Sequence, residues 1–267
     1  MTETKLKLAI LQMDIEAGSP DVNFARLAEL LEQAAGLSPK PDLIIAPEMW
    51  NTGYALEEIE TLADENGSRT KALIGEFSRR HGIHVLAGSV AERRAEGVYN
   101  TTYAFDREGK AHAQYSKIHL FRLMDEEKHL QAGSAPGLLE IDGSPAATMI
   151  CYDIRFPELA RRLALGGAKL LFVPAEWPNP RLHHWRTLLT ARAIENQMYV
   201  VACNRTGSSG STSFFGHSMV IDPWGDVVAE AGEEETILCV TIDLALVDEV
   251  RTRIPVFEDR RPSLYQG

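Results

Sequence analysis

Short apolar runs alternate with longer amphipathic stretches along the whole chain of 267 residues, and this alternation is what most constrains its fold. The apolar runs have the length of buried strands, whereas the stretches between them carry apolar residues near helical spacing. Residues 6–11 form the first run, for example, and residues 21–35 form an amphipathic stretch that stops at Gly36. Strands that alternate with helices and hairpins build a layered α/β fold with a mixed sheet.

The same patterns predict the other elements of the chain. Strands are predicted at residues 42–46, 83–90, 99–105, 111–118, 146–151, 170–173, 199–203, 219–221, 227–229 and 237–242. Helices are predicted at residues 68–81 with Ser68 as the cap, from residue 157 to the glycines at 166–167, and at residues 183–197. No linker rich in Pro, Gly or Ser and no short repeat divides the sequence, so we expect residues 1–267 to form a single domain.

Composition limits the partners and the cellular setting. A net charge of −11 disfavours nucleic acid, because phosphate binding relies on clustered Lys and Arg. The three cysteines are widely spaced and odd in number, as in a reduced cytosolic protein rather than a disulfide framework. Residues 1–13 resemble neither a signal peptide nor a membrane span. We therefore expect a cytoplasmic protein that binds neither nucleic acid nor membranes.

Reactive residues follow three of the apolar runs, at strand ends where α/β folds usually place their sites. Glu48 follows Pro47, and apolar neighbours would raise its pKa toward that of a general base. Lys117 lies in a strand with alternating faces and needs a counter-charge that Glu48 can supply. Taken alone, however, Glu48 also fits a solvated loop carboxylate, and Lys117 an exposed strand lysine.

Cys151 differs in its setting from Cys203 and Cys239. The latter two lie inside apolar runs and fit structural cysteines, whereas polar and charged residues follow Cys151 at once. Cys151 also stands at the end of a strand just before a helix, where the helix N-terminus and a nearby cation would favour the thiolate. We therefore take Cys151 as the candidate nucleophile.

Together the segments around Glu48, Lys117 and Cys151 resemble the Glu-Lys-Cys triad of the nitrilase superfamily, the carbon–nitrogen hydrolases. The resemblance extends from residues 8–12 to residues 222–225, with departures at Ser116, where many members have Arg, and at Thr148, where Gly is common. It implies a four-layer α-β-β-α sandwich with mixed sheets, which pairs through one helical layer into a homodimer or a higher even oligomer.

The resemblance also implies a role for each residue of the triad. Glu48 is the general base, Lys117 the cation at the tetrahedral intermediate and Cys151 the nucleophile that forms a thioester. The backbone N–H of Tyr152 and Lys117 would stabilise the oxyanion, at roughly 2.7–4 kcal/mol per donor. No metal or organic cofactor is required.

Members of this superfamily carry a second site glutamate a few residues before a glycine. Here the glycine is Gly133, and counting back from it favours Glu126 for this role, with Glu127 as a rival. The adjacent His183 and His184 would point about 100° apart on a helix and suit a metal site poorly. Residues 207–211, rich in Gly and Ser, are interpreted as a flexible loop.

Within the superfamily, residues 121–126 and 175–178 resemble the ω-amidase branch, which deaminates 2-oxoglutaramate. Such a substrate carries a carboxylate at the end away from the amide, and Arg181 is the candidate that binds it. Tyr54 and Trp177 are expected to line the pocket. An N-carbamoyl amine or amino-acid amidohydrolase would use the same triad. A non-catalytic, partner-binding member is a further alternative, but it would be expected to lack a triad residue.

Overall fold

The computed structural model describes residues 5–265, which form two large β-sheets, a small hairpin and seven α-helices. The strands are β1 (Lys5–Gln12), β2 (Leu43–Ile45), β3 (Asp64–Glu65), β4 (His84–Leu86), β5 (Val90–Arg94), β6 (Gly97–Phe105), β7 (Ala111–Ser116), β8 (Gly137–Ile141), β9 (Ser144–Thr148), β10 (Leu170–Ala175), β11 (Tyr199–Asn204), β12 (Thr206–Ser209), β13 (Thr212–Phe215), β14 (Met219–Ile221), β15 (Val227–Glu230) and β16 (Thr236–Asp243). The helices are α1 (Pro20–Ala35), α2 (Ile59–Leu62), α3 (Ser68–His81), α4 (Glu126–His129), α5 (Pro157–Leu165), α6 (Leu182–Asn196) and α7 (Ala245–Arg253).

The two large sheets are both mixed. The first has eight strands in the order β16-β1-β2-β4-β6-β5-β3, with β7 paired to β6, and the second has six in the order β15-β14-β11-β10-β9-β8. In the first, β1, β2 and β4 run parallel, and in the second, β9, β10 and β11 do. The ends of these parallel strands lead into the loops that carry the candidate site.

The sheets face each other across a shared apolar core and each carries helices on its outer face. Ile10 of β1 and Phe172 of β10 belong to the same buried cluster between the sheets. A second cluster joins the first sheet to α1 and α3, and a third joins the second sheet to α5 and α6. This arrangement confirms the four-layer α-β-β-α sandwich with mixed sheets.

Most element boundaries agree with the sequence patterns, but the ends of α3 show how tertiary contacts decide a terminus. Ser68 is the first helical residue rather than the cap, and the side chain of Asp64 accepts the free N–H groups of Arg69 and Thr70. At the other end Gly82 adopts a φ of +62°, as expected for a glycine that ends a helix.

Several predictions about local structure were wrong. The strand predicted at residues 111–118 ends at Ser116, so Lys117 lies just beyond it. The strand predicted at residues 83–90 ends at Leu86, and β5 begins only at Val90. Between them Gly88 has a φ of +63°, and a Cβ there would lie 2.1 Å from the carbonyl oxygen of Pro47. Residues 207–211 belong to the β12–β13 hairpin rather than a flexible loop. Strand β9 ends at Thr148, so Cys151 lies beyond the strand. Strands β3, β8, β12 and β13 and helices α2, α4 and α7 were not predicted from the sequence.

The longest helix, α1, has 16 residues. Within residues 5–265, no helix is long and apolar enough to cross a membrane.

Candidate active site

Glu48 lies at the centre of a buried polar cluster, directly after β2. Its side chain is 0% exposed, and its Oε1 accepts hydrogen bonds of 2.8 Å from both Asn100 and Lys117. Its Oε2 accepts the backbone N–H of Glu176, which follows β10 in the other sheet, at 2.8 Å. Donors from the first sheet therefore hold one oxygen of Glu48, and a donor from the second sheet holds the other.

Lys117 follows β7 and is also 0% exposed. Its backbone N–H donates to the carbonyl oxygen of Asn100, which extends the pairing with β6 by one residue and turns the side chain inward. Its own carbonyl oxygen accepts the N–H of Gly133 at 2.8 Å. A Cβ on Gly133 would lie 2.0 Å from the carbonyl oxygen of Ser116, so only glycine allows this close approach.

Glu126, at the start of α4, is the second carboxylate of the cluster. Its Oε1 lies 2.7 Å from the Lys117 ammonium and 2.5 Å from the hydroxyl of Tyr54, and its Oε2 accepts the N–H of Phe121. Glu127, in contrast, is exposed. The geometry thus brings Glu126 into the cluster and leaves Glu127 outside.

Cys151 begins a 3-10 turn, residues 151–155, and has a φ of +45°, which is uncommon for a residue with a side chain. Asp153 holds this turn in place, because its carboxylate accepts the N–H of Ile150 at 2.9 Å and the hydroxyl of Tyr115 at 2.7 Å. The same carboxylate accepts the N–H of His119, two residues after Lys117. The turn that carries Cys151 and the segment that carries Lys117 are therefore joined.

The electrostatics of Cys151 and Glu48 differ from the expectations. Burial, together with the charge of Glu48, raises the pKa of the Cys151 thiol well above its usual range, so the resting residue is a neutral thiol rather than a thiolate. The pKa of Glu48 was expected to be raised. Burial does push this pKa upward, but the charge of Lys117 and the hydrogen bonds from Lys117 and Glu176 leave it below its ordinary value. Glu48 is therefore an ionised acceptor for the thiol proton.

Two other groups of the cluster have shifted pKa values. Burial raises the pKa of Glu126, and the nearby charge of Glu48 raises it further. Burial lowers the pKa of Lys117, but the charges of Glu126 and Glu48 more than compensate, so its pKa is raised well above the usual range. Lys117 thus remains a cation between two carboxyl groups.

A small cavity opens beside Cys151. Its lining contains Tyr54, Phe121, Met124, Cys151, Tyr152, Arg155, Glu176, Trp177, Pro178 and Arg181. Every substrate-binding residue expected from the sequence therefore reaches the same cavity. The catalytic candidates Glu48, Lys117 and Glu126 lie behind it in the buried cluster.

Two arginines give this cavity a positive wall. The guanidinium of Arg155 lies 4.7 Å from the ring centre of Trp177, whose indole N–H donates to the carbonyl oxygen of Arg181. The charge of Arg181 contributes to a lowered pKa of Arg155, after the larger effect of burial. Among residues 5–265, neither guanidinium forms an ion pair with a carboxylate.

Sequence reasoning missed Asn100, Arg155 and Glu176. Asn100 lies in the middle of β6 and has no local signal, since it reaches Glu48 only because β2, β4 and β6 lie side by side in the first sheet. A sequence signal did exist for the other two. Arg155 follows the nucleophile within the same turn, and Glu176 is a charged residue at the end of an apolar run.

Comparison with known proteins gives consistent matches over almost the whole chain. The family model described as Carbon-nitrogen hydrolase matches residues 7–252. A Bacillus subtilis protein named 2-oxoglutaramate amidase is 48% identical over 261 residues, which cover 98% of this chain and all of that protein. An omega-amidase of Homo sapiens is 33% identical over 273 residues, covering 98% of this chain and 97% of the relative.

Solved structures give the same picture. The crystal structure of a CN-hydrolase superfamily protein from Xanthomonas campestris matches with a TM-score of 0.89 at 33% identity, covering 96% of this chain and 97% of that one.

Proposed function

The chain belongs to the carbon–nitrogen hydrolase family, and we propose that it is a cysteine-dependent amidase that hydrolyses the ω-amide of a small keto or dicarboxylic acid such as 2-oxoglutaramate. It is a hydrolase of amide carbon–nitrogen bonds. The observation that carries the proposal is a neutral thiol, Cys151, which lies between a buried carboxylate–lysine cluster and a small cavity lined by two arginines.

The reaction follows from the protonation states of these groups. Glu48 takes the thiol proton as the Cys151 sulfur attacks the amide carbonyl, so a thiolate forms only when it is used. The Lys117 ammonium and the backbone N–H of Tyr152 stabilise the oxyanion. Glu48 then returns the proton to the leaving ammonia and activates the water that cleaves the thioester.

Glu126 has a supporting role in this proposal. Together with Tyr54 it fixes the position of the Lys117 ammonium, since all three polar groups lie within 3.4 Å of one another. An ammonium held by two carboxyl groups needs no reorganisation when the oxyanion develops, which is how preorganised charges lower a barrier.

The substrate class follows from the charge of the cavity. In a protein with a net charge of −11, an anionic substrate requires local cations, and Arg155 and Arg181 supply two. An ω-amide of a keto or dicarboxylic acid presents a neutral amide to Cys151 and a carboxylate at its other end. Trp177 and Phe121 provide apolar walls for the carbon chain between them.

An ammonia-release screen tests this proposal. Purified protein is assayed with 2-oxoglutaramate, succinamate, glutamine and N-carbamoyl amino acids under the same conditions. We expect 2-oxoglutaramate and succinamate to give the highest kcat/KM. Preference for the N-carbamoyl compounds would contradict the substrate class while leaving the triad chemistry intact.

We also propose that the protein is cytoplasmic and acts as a homodimer or a higher even oligomer. The cysteines at positions 151, 203 and 239 are all free, which fits a reducing compartment. Helices α5 and α6 expose Leu165 and Ile194, at 47% and 50%, on the outer side of their layer. Exposed apolar side chains on one layer are suited to pairing with a second copy.

A further inference from the structure

Glu176 is a buried carboxyl group that the proposed reaction does not use. It directly follows β10, is 1% exposed and lines the cavity together with Cys151. Only its backbone N–H has a function in the cluster, as a donor to Glu48. Its side chain makes no contact with Glu48, Lys117 or Glu126 that the proposed reaction needs.

The two carboxyl oxygens of Glu176 have different environments. Oε2 lies 3.3 Å from Nη1 of Arg205, whose side chain is completely buried and also bonded to Asp14. Oε1 is buried, and it has no hydrogen-bond partner in the part of the chain that the structure describes. A buried oxygen without a partner costs free energy that is recovered when a ligand supplies the missing hydrogen bond.

The surrounding charges favour the protonated carboxyl. Three buried carboxyl groups, those of Glu48, Glu126 and Glu176, share the interior with two buried cations, Lys117 and Arg205. A proton on one carboxyl balances these charges. Burial raises the pKa of Glu176 to about 8. The charge of Arg205 opposes this shift, and the charge of Glu48 adds to it.

Two other ionisable groups that line the cavity, Tyr54 and Cys151, keep the same charge between pH 6 and 9. Tyr54 has a pKa raised well above its usual range by burial and stays neutral, as does the Cys151 thiol. His184 lies 3.5 Å from the guanidinium of Arg155, and a Glu176→Gln variant retains this contact, so any effect of His184 appears in both proteins. Asp14 is more than half exposed and lies on the far side of Arg205.

We propose that Glu176 is protonated when substrate binds and donates a hydrogen bond from Oε1 to an acceptor oxygen of an anionic amide. It is thus a specificity-determining residue of the cavity, and the inference rests on the proposed ω-amidase function. Loss of the proton removes the donor and places a negative charge beside an anionic substrate. A neutral amide without that oxygen is much less affected.

The test compares two amides with the same chain length across pH. Succinamate keeps its carboxylate ionised from pH 6 to 9.5, and butanamide has none. Since both use Cys151, Glu48 and Lys117, the ratio of their kcat/KM values cancels the titration of the triad. If only the protonated form binds succinamate well, this ratio falls about tenfold between pH 7 and pH 9 in the wild type.

Two variants complete the experiment. Glu176→Gln keeps a donor of the same size that cannot ionise, so the ratio stays near its neutral-pH value throughout. Glu92→Gln is the matched control, because Glu92 is also buried and paired with an arginine, Arg94, but lies outside the cavity. Its ratio should fall with pH as in the wild type.

A stability measurement gives a readout that needs no substrate. Between the usual carboxyl pKa of 4.5 and a pH of about 8, folded Glu176 keeps a proton that the unfolded chain releases. The wild type therefore loses stability as the pH rises through this window, and Glu176→Gln does not. The Tm of the variant relative to the wild type should increase from pH 5 to pH 9.

The outcomes separate the two proposals. A wild-type ratio independent of pH overturns the role of Glu176, even if the variant fails to fold. A Glu176→Gln ratio that still falls with pH does the same. Wild-type protein that hydrolyses neither amide, nor 2-oxoglutaramate, contradicts the proposed function itself.

Discussion

At the scale of single residues, the chemistry of Cys151 depends on neighbours that are far away in the sequence. Its thiol is kept neutral by burial and by Glu48, which follows a strand of the opposite sheet. Lys117, from a third segment, keeps Glu48 ionised.

Replacement of Cys151 tests the nucleophile. Cys151→Ala should abolish turnover, because no other group of the site can form the thioester. Cys203→Ala is the control, since that thiol is buried between the sheets and donates to the carbonyl oxygen of Leu11. We expect it to reduce stability and to keep kcat. Mass spectrometry of a stopped wild-type reaction should find the acyl adduct on Cys151, and substantial activity of Cys151→Ala would rule out the mechanism.

The two neighbouring glutamates of α4 provide a matched pair. Glu126→Gln removes one of the two charges that hold Lys117 and should cut kcat strongly while the fold persists. Glu127→Gln changes an exposed side chain of the same size and should be nearly neutral. Steady-state kinetics of both variants show which of the two glutamates supports turnover. The reverse pattern would contradict the role proposed for Glu126.

Arg181 is tested through the charge of the substrate. If it binds the carboxylate, Arg181→Ala should weaken kcat/KM for 2-oxoglutaramate by about 2–4 kcal/mol, the scale for the loss of a buried charge-assisted contact. The loss should be smaller for butanamide, which has no carboxylate. Equal losses for both substrates would mean that Arg181 supports the loop around Trp177 rather than the ligand.

At the scale of elements, the site depends on close contacts between loops that follow the strands. Gly133 packs against the residue before Lys117, and its N–H binds the Lys117 carbonyl oxygen. Asp153 ties the Cys151 turn to the same segment. The lysine and the nucleophile are therefore positioned by backbone contacts as well as by their own side chains.

A single methyl group tests this arrangement. Gly133→Ala forces Ser116 and Lys117 to move, so we expect a loss of about 1–3 kcal/mol in stability and a marked fall in kcat. Gly232→Ala is the control, because a Cβ at that position meets no atom within 4 Å. Chemical denaturation and kinetics of both variants measure the difference. Full activity of Gly133→Ala would show that the segment can shift without displacing Lys117.

At the scale of the whole molecule, the two halves of the chain share one core. Strand β1 near the start pairs with β16 near the end over eight residue pairs. Glu48 from the first sheet binds the N–H that follows β10 in the second. That residues 1–267 form one domain remains a prediction, and a single cooperative unfolding transition would support it.

The exposed apolar residues on α5 and α6 lead to the prediction about assembly. Sedimentation velocity at micromolar concentration should show a dimer or an even multiple of it. Substitution of Leu165 and Ile194 by Glu should shift the distribution toward monomer, because charges in an apolar interface are costly. The same change at exposed Val22 of α1 is the control. A wild type that is only monomeric would contradict the proposal.

The local patterns of the sequence determine the elements and the class of the fold, because apolar periodicity reports which face of each strand or helix is buried. They also identified Glu48, Lys117 and Cys151 as candidates, since reactive residues at strand ends stand out against apolar neighbours. The spacing from Gly133 favoured Glu126 over Glu127, and Glu176 had a signal at the end of an apolar run, but only the tertiary structure brings Asn100 and Glu176 to Glu48. These contacts join residues 52 to 128 positions apart along the chain, such as Asn100 and Glu176 with Glu48. The same is true of the pKa shifts, because burial and the distance between charges exist only once the two sheets have packed together.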